Sequence, residues 1–323
     1  MYVVTGGAGF IGSSFIRKLN DQGIDEILIV DNLSTSSKWK NLIGKKYSDY
    51  IHKDHFLEKL ESGKYRGKIS AVIHMGACSS TTEEDADYLM KNNFHYSRDL
   101  ATYCLDQGVR FIYASSAAVY GDGEKGYDDT DELTESYKPL NRYGYSKQLF
   151  DQWVINNNVA DSVAGLRFFN VYGPNEYHKG SMRSVVHKAF HQATQDREIK
   201  LFRSYREDYK DGEQKRDFIY VKDCIDTLWW LTQNTKTNGI FNLGRAEARS
   251  WNDLANAVFS ALDIEPKIAY IDMPDNLINQ YQYYTKSSLE KLKAAECPLP
   301  QYSLEEGVAD YVQNYLKNGG SFH

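Results

Sequence analysis

Ser115-Ser116 is followed, 27 positions after Ser116, by Tyr143-Gly144-Tyr145-Ser146-Lys147. Residues four apart on a helix share a face, so Tyr143 and Lys147 can enter one pocket, where an ammonium favours the phenolate. A free tyrosine titrates near pH ~10 and is a poor base at neutrality. A lysine and a serine hydroxyl beside it make a proton acceptor for an alcohol that is losing hydride. In a chain with 25 tyrosines the spacing alone is weak, and the surrounding elements must decide.

Those elements converge. Residues 2–5 predict a short buried strand running into Gly6-Gly7-Ala8-Gly9-Phe10-Ile11-Gly12 and an amphipathic helix to about Leu19. Gly7, Gly9 and Gly12 satisfy G-x-G-x-x-G, and Gly6, Gly9 and Gly12 the wider spacing; small residues let the backbone approach a pyrophosphate at the helix N-terminus. The next strand, Ile27 to Val30, ends in Asp31, about 20 residues on, where an acid meets a ribose hydroxyl. Lys38 and Lys53 can meet a 2′-phosphate, so the residues leave NAD and NADP both open. A third strand, Ile69 to His74, closes on small and hydroxylated residues from Met75 to Thr82, and a helix from about Glu83 to Gln107 carries Asn92 and Asn93 inside it. Arg110 to Ser116 then delivers Ser116 to the same sheet edge as the glycine loop, with Tyr143 opening the following helix.

A strand from Ser162 to Phe169 exits through Asn170-Val171-Tyr172-Gly173-Pro174, whose Gly-Pro marks a change of direction and the main lobe boundary. Lys179 and Ser181 follow near the start of a helix that carries His187 and Lys188, where an anion or hydroxyl can be held. His178 has no partners at metal-ligand spacing. After a strand to Phe202 comes a charged loop, residues 203–215, read as solvated; Arg216 beyond it is a candidate phosphate clamp. A helix from Asp223 returns to the first lobe, and Tyr281, Tyr283 and Tyr284 group near the cleft. The fold expected is α/β: a Rossmann-type doubly wound parallel sheet with a smaller mixed lobe. Residues 1–170 and about 216–240 form the dinucleotide-binding domain, and residues 171–215 and 241–323 the substrate-binding domain.

At 323 residues and 41% hydrophobic composition the chain supports a sizeable core. A net charge of −6 argues against general nucleic-acid binding, and no window approaches the ~20 apolar residues of a membrane span. The four cysteines, Cys78, Cys104, Cys224 and Cys297, form no Cys-x-x-Cys pair. That spacing, and the lack of a signal-like start, fit a reducing cytoplasm and offer no metal site.

Thr5-Gly-Gly-Ala-Gly-Phe-Ile-Gly12, Ser115-Ser116-Ala117 and Tyr143-x-x-x-Lys147 together resemble the extended short-chain dehydrogenase/reductase family of nucleotide-sugar epimerases and dehydratases. Gly76-Ala-Cys-Ser-Ser-Thr-Thr-Glu83, Asn170-Val-Tyr-Gly-Pro174, His178-Lys-Gly-Ser-Met182 and Arg216-Asp-Phe-Ile-Tyr220 narrow the likeness to its ADP-heptose 6-epimerase branch over nearly the whole chain. The resemblance implies transient oxidation at C6 of an ADP-heptose by bound NADP and return of the hydride to the other face. Tyr143 and Lys179 would be the two acid/base groups, Ser116 would hold the reacting oxygen, and Lys147 would hold the cofactor ribose and bias Tyr143. It assigns cofactor contacts to Gly6, Gly9, Phe10, Ile11, Gly12, Asp31, Asn32, Lys38, Lys53, Met75, Gly76, Ala77, Cys78, Ser79, Asn92, Lys147, Val171 and Lys179. Substrate contacts fall on Ser116, Asn170, Ser181, Lys188, Phe202, Arg203, Ser204, Arg216 and Tyr281; His187 takes the place of Lys188 if the register slips by one. It also implies a homo-oligomer, with a pentamer as the candidate state. The chain departs from the pattern at Met75, where a carboxylate is usual, in a longer loop after Phe202, and at Arg245, where Thr-Gly usually follows the glycine.

Three rivals remain. A sugar 4,6-dehydratase needs an Asp-Glu pair after the catalytic hydroxyl, where this chain has Ala117-Ala118. A UDP-sugar 4-epimerase shares the redox centre, and only Lys179 and the cleft residues separate it. A non-catalytic dinucleotide sensor has no use for Ser116, Tyr143 and Lys147 together.

Overall fold

In the computed structural model, which describes residues 1–278 and 281–323, seven parallel strands form a central sheet in the order β10-β6-β5-β4-β1-β2-β3. These are β1 (Tyr2–Thr5), β2 (Ile27–Asp31), β3 (Asp49–His52), β4 (Ala71–His74), β5 (Arg110–Ser116), β6 (Val163–Phe168) and β10 (Gly239–Leu243). Between and beyond them lie β7 (Asn170–Tyr172), β8 (Ile199–Phe202), β9 (Lys215–Tyr220), β11 (Ala248–Ser250) and β12 (Ile268–Ile271). They pair as β11-β9-β7, a mixed three-stranded sheet, and as a parallel β12-β8 ribbon. The expected Rossmann-type sheet with a smaller mixed lobe is the fold observed.

The central strands are continuous apolar runs because both faces are covered. Alternate residues feed separate cores. Val4, Ile29, Ile73 and Ile112 pack with Phe15, Ile16 and Leu19 of helix Phe10–Asp21, whereas Val3, Leu28, Val72 and Phe111 pack with Phe56, Leu100 and Phe150 on the other face.

Several expected boundaries move. Strand β10 pairs along its whole length with β6, so the central sheet extends to Leu243, past the division expected at 240. Strand β9, expected within the returning segment, pairs instead with β7 and β11, and helix Val221–Gln233 after it makes the return. The helix expected over 83–107 starts at Ala86, capped by the Asp85 side chain, which accepts from Tyr88 N at 2.9 Å. It widens into a π turn at Met90–His95 before resuming at Tyr96. Ser181 lies in a 3₁₀ turn, Tyr177–Met182, and the next helix, Val185–Gln195, begins only after Ser184, whose hydroxyl caps it.

Candidate active site

The C-terminal ends of β1, β2, β4 and β5 place Thr5, Asp31, His74 and Ser116 along one edge, where open parallel sheets bind ligands. Two adjoining cavities follow that edge, of about 480 and 420 Å³. They share a wall of Phe10, Ile11, Met75, Ala77, Lys179 and Met182.

The first cavity has the dimensions of a cofactor slot. Its glycine turn is backbone against backbone: Gly9 N donates to Gly6 O at 2.9 Å, and a Cβ on Gly12 would stand 2.3 Å from that oxygen. Gly6 sits at φ +63° against Gly76, a conformation that leaves room for no side chain. Asp31 accepts from Ala8 N at 2.8 Å and Asn32 N at 2.6 Å, fixing its carboxylate beside the turn, and Lys38 Nζ closes on it at 2.6 Å. Lys53 reaches the same cavity and donates to Asn92 Oδ1 at 2.6 Å. Of the residues assigned to the cofactor, all line this cavity except Lys147 and Val171, which line the second. The cradle, the fixed carboxylate and the helix N-terminus fit a dinucleotide.

The second cavity holds the redox candidates. Ser116, Tyr143, Lys147 and Lys179 all line it. Tyr143 and Lys147 lie on helix Arg142–Asn156, which is capped by Asn141 accepting from Gly144 N at 2.8 Å. Ser116 terminates β5 with its Oγ accepting from Ala118 N at 3.1 Å. Burial raises the Tyr143 phenol above its ordinary range, and the neighbouring Ser116 hydroxyl draws it back. Burial brings the Lys147 ammonium down to about 8, opposed by Asp151, and its Nζ donates to Ala114 O at 2.8 Å. Ser116 is thus the hydroxyl that acts on Tyr143 directly, and Lys147, in the same cavity, is anchored on a main-chain carbonyl. Lys179 enters from the 3₁₀ turn, its Nζ 5.5 Å above the Phe10 ring; burial lowers it and Glu176 opposes that shift.

Among the assigned substrate residues, Ser116 and Asn170 line the second cavity and the rest do not. Lys188 is exposed, since helix Val185–Gln195 turns Val186, His187 and Ala189 inward; His187 packs at a tilt against the rings of Tyr177 and His191. Ser181 is exposed at the turn. The Arg216 guanidinium lines neither cavity: it donates to Lys215 O at 2.9 Å and to Gln282 O, between the rings of Trp251 and Tyr281. Phe202 packs edge-on to Tyr281, and Tyr281 OH accepts from Trp251 Nε1 at 2.7 Å, so this group sits behind Trp251, which does line the cavity. Arg203 pairs with Asp272 at 3.0 Å, and Ser204 N donates to Asp211 Oδ1 at 2.8 Å.

Sequence reasoning missed three contributors. Arg183 lines the second cavity and, among the described residues, its guanidinium makes no hydrogen bond or ion pair. Asn93, fully buried in the π turn, clamps the Cys78 backbone at both ends, accepting from its N at 2.8 Å and donating to its O at 3.0 Å. It also donates to Ser146 Oγ at 3.0 Å, which in turn donates to Tyr143 O at 2.7 Å, so the cofactor loop and the Tyr143 helix are tied together. His74 bridges Thr5 Oγ1 at 2.6 Å and Ser97 Oγ at 2.8 Å beneath the same loop. No group of metal ligands occurs among the described residues.

A Rossmann-type sheet with Ser, Tyr and Lys on its carboxyl edge defines a dinucleotide-dependent oxidoreductase or epimerase. The sequence matches the profile of the NAD dependent epimerase/dehydratase family over residues 2–244, and the chain belongs to that family. It is 56% identical over 322 residues, spanning all of both chains, to an ADP-L-glycero-D-manno-heptose-6-epimerase of Nitratidesulfovibrio vulgaris. A Fusobacterium nucleatum relative of the same name is 48% identical, again over the full length of both. The crystal structure of the Helicobacter pylori ADP-L-glycero-D-manno-heptose-6-epimerase superposes with a TM-score of 0.81 at 29% identity, covering 97% of this chain and 95% of that one.

Proposed function

We infer that this protein is an epimerase interconverting ADP-D-glycero-D-manno-heptose and ADP-L-glycero-D-manno-heptose, a step that supplies heptose for lipopolysaccharide. The carrying observation is that Tyr143 and Lys179, from separate elements, enter one cavity with Ser116. Inversion of a secondary alcohol presents its oxygen in two orientations, so one proton-transfer group is not enough. The relatives' names agree with this reading and not with a UDP-sugar 4-epimerase.

A bound nicotinamide dinucleotide supplies hydride acceptance and return at C6. The chain's residues do the rest. Ser116 Oγ orients the C6 oxygen, and Tyr143 takes its proton as the carbon is oxidised. After the ketone presents its other face, Lys179 returns a proton to the oxygen; in the reverse direction the two exchange roles. The second cavity is lined by Lys147, Lys179 and Arg183 and, among the described residues, by no carboxylate, which suits an anionic nucleotide sugar. NADP is the cofactor we assign, because Lys38 and Lys53 both stand at the ribose end of the first cavity. A homo-oligomer, with a pentamer as the candidate, and a cytoplasmic site of action complete the reading; the four free cysteines support the second.

Assaying the purified protein with ADP-heptose against UDP-galactose tests the substrate, and epimerisation of the UDP-sugar alone would overturn it. In heavy water the product should carry no solvent deuterium at C6. Its appearance there would rule out direct hydride return.

A further inference from the structure

Glu176 is 1% exposed and lines neither cavity, yet it governs the segment that carries Lys179. Its carboxylate accepts from Ser184 N at 2.5 Å, Ser184 Oγ at 2.6 Å and Gly173 N at 3.5 Å. One side chain thus spans both ends of residues 173–184, while its own main-chain oxygen accepts from Lys179 N at 3.0 Å. The segment needs such a closure, because Asn175 and Gly180 inside it sit at φ 75° and 55°.

We propose that Glu176 is the positioning residue of Lys179: it closes the loop that aims the ammonium into the cavity and supplies the buried negative charge that keeps it protonated. The other groups facing Lys179 cannot do the second job. The Phe10 ring lies beneath it, His178 adjoins it, and Tyr143, Lys147 and Arg183 share its cavity. Asp31, at the cofactor end, is already paired with Lys38. Glu176 is the group that opposes the effect of burial on Lys179; burial raises the Glu176 carboxyl itself, and the Ser184 bonds and Lys179 offset part of that rise. Tyr177 and Tyr311, which pack around Glu176, bring no cation to it.

The proposal rests on Lys179 being one of the two proton-transfer groups, and its test separates the two ideas. The full chain with its bound dinucleotide is assayed for kcat against pH as wild type, K179M, E176Q and S184A. Glutamine can keep an acceptor for Ser184 N and a donor for Ser184 Oγ, giving up only the long Gly173 N contact, but removes the charge. The alkaline limb set by Lys179 should therefore move to lower pH by about one unit in E176Q. S184A keeps the charge and loosens the loop, so kcat should fall about tenfold with the limb in place. If K179M turns over like wild type, the two-base reading fails. If K179M is inactive while E176Q keeps the wild-type limb, or S184A moves it equally, the Glu176 assignment fails and the two-base reading stands.

Discussion

Arg167 and Asp151 form an ion pair at 2.9 Å in which neither side chain has exposed surface. The pair joins β6 to the helix that carries Tyr143, and Asp151 takes two further bonds from β5, Ser115 Oγ at 2.8 Å and Tyr113 OH at 3.0 Å. Asp151 stands one turn beyond Lys147, so this network sets the angle at which Tyr143 and Lys147 face the cavity. Removing one partner leaves the other charged and buried. Asp151→Ala should therefore cost about 3–5 kcal/mol in denaturant unfolding, and a double change of Asp151 and Arg167 to apolar residues should recover much of it.

Tyr143→Phe and Lys179→Met should each lower kcat by about 10²–10⁴-fold, the range for a positioned acid or base. Bound cofactor, read by absorbance of the purified protein, should be retained in both, because the glycine cradle and Asp31 are left intact even though Lys179 also lines that cavity.

Arg183 should act on binding more than on turnover. With Lys147 and Lys179 assigned to the proposed redox centre and Arg216 held behind Trp251, it is the remaining cation of the second cavity among the described residues. Arg183→Met should raise KM about tenfold and leave kcat within about twofold, and ADP should bind the variant more weakly by isothermal titration.

Acid stability follows from His74. Burial lowers its pKa to about 3, so the folded chain holds it neutral while the unfolded chain protonates near pH ~6.5. A depressed histidine contributes stability above its unfolded value and loses it as pH falls toward the folded one. Stability should decline from about pH 6.5 downward, and His74→Gln should flatten that decline while lowering stability at neutral pH through the lost Thr5 and Ser97 bonds. Urea midpoints across the range measure both.

The sheet and the meeting of Ser116, Tyr143 and Lys147 in one cavity were legible because each depends on local signals: apolar runs, a glycine turn and a four-residue helical spacing. The π turn was not. Asn92 and Asn93 stand out in the sequence only as poor helix formers inside a helix, with the resemblance giving a role to Asn92 alone, and only the packed structure shows that Asn93 finds its partners in a loop 15 residues earlier and a helix 53 residues later. Arg216 and Lys188 failed as cavity residues for the same reason. Charge type is visible in a sequence, but of the groups that capture the Arg216 guanidinium only the Lys215 carbonyl is local; Trp251 comes from a helix and Tyr281 and Gln282 from a loop far along the chain. Arg183 stayed hidden beside the Lys179 motif because nothing in its spacing distinguishes a cavity-facing arginine from a surface one.

The π turn at Met90–His95 also fixes the rotational phase of the helix on either side of it. A wide turn accommodates one residue more than an α turn, and each residue of an α-helix advances about 100°. Deleting a single residue between Met90 and Asn92 would let the helix close into regular turns without breaking it. Its two halves would then be out of step by roughly a quarter turn, and because Asn92 and Asn93 both lie beyond the deletion, their bonds to Lys53 and Cys78 could be kept only if Leu89, buried before it, lost its place. A length change that a surface helix would tolerate is thus felt here as a choice between the cavity bonds on one side of the turn and the buried seat of Leu89 on the other.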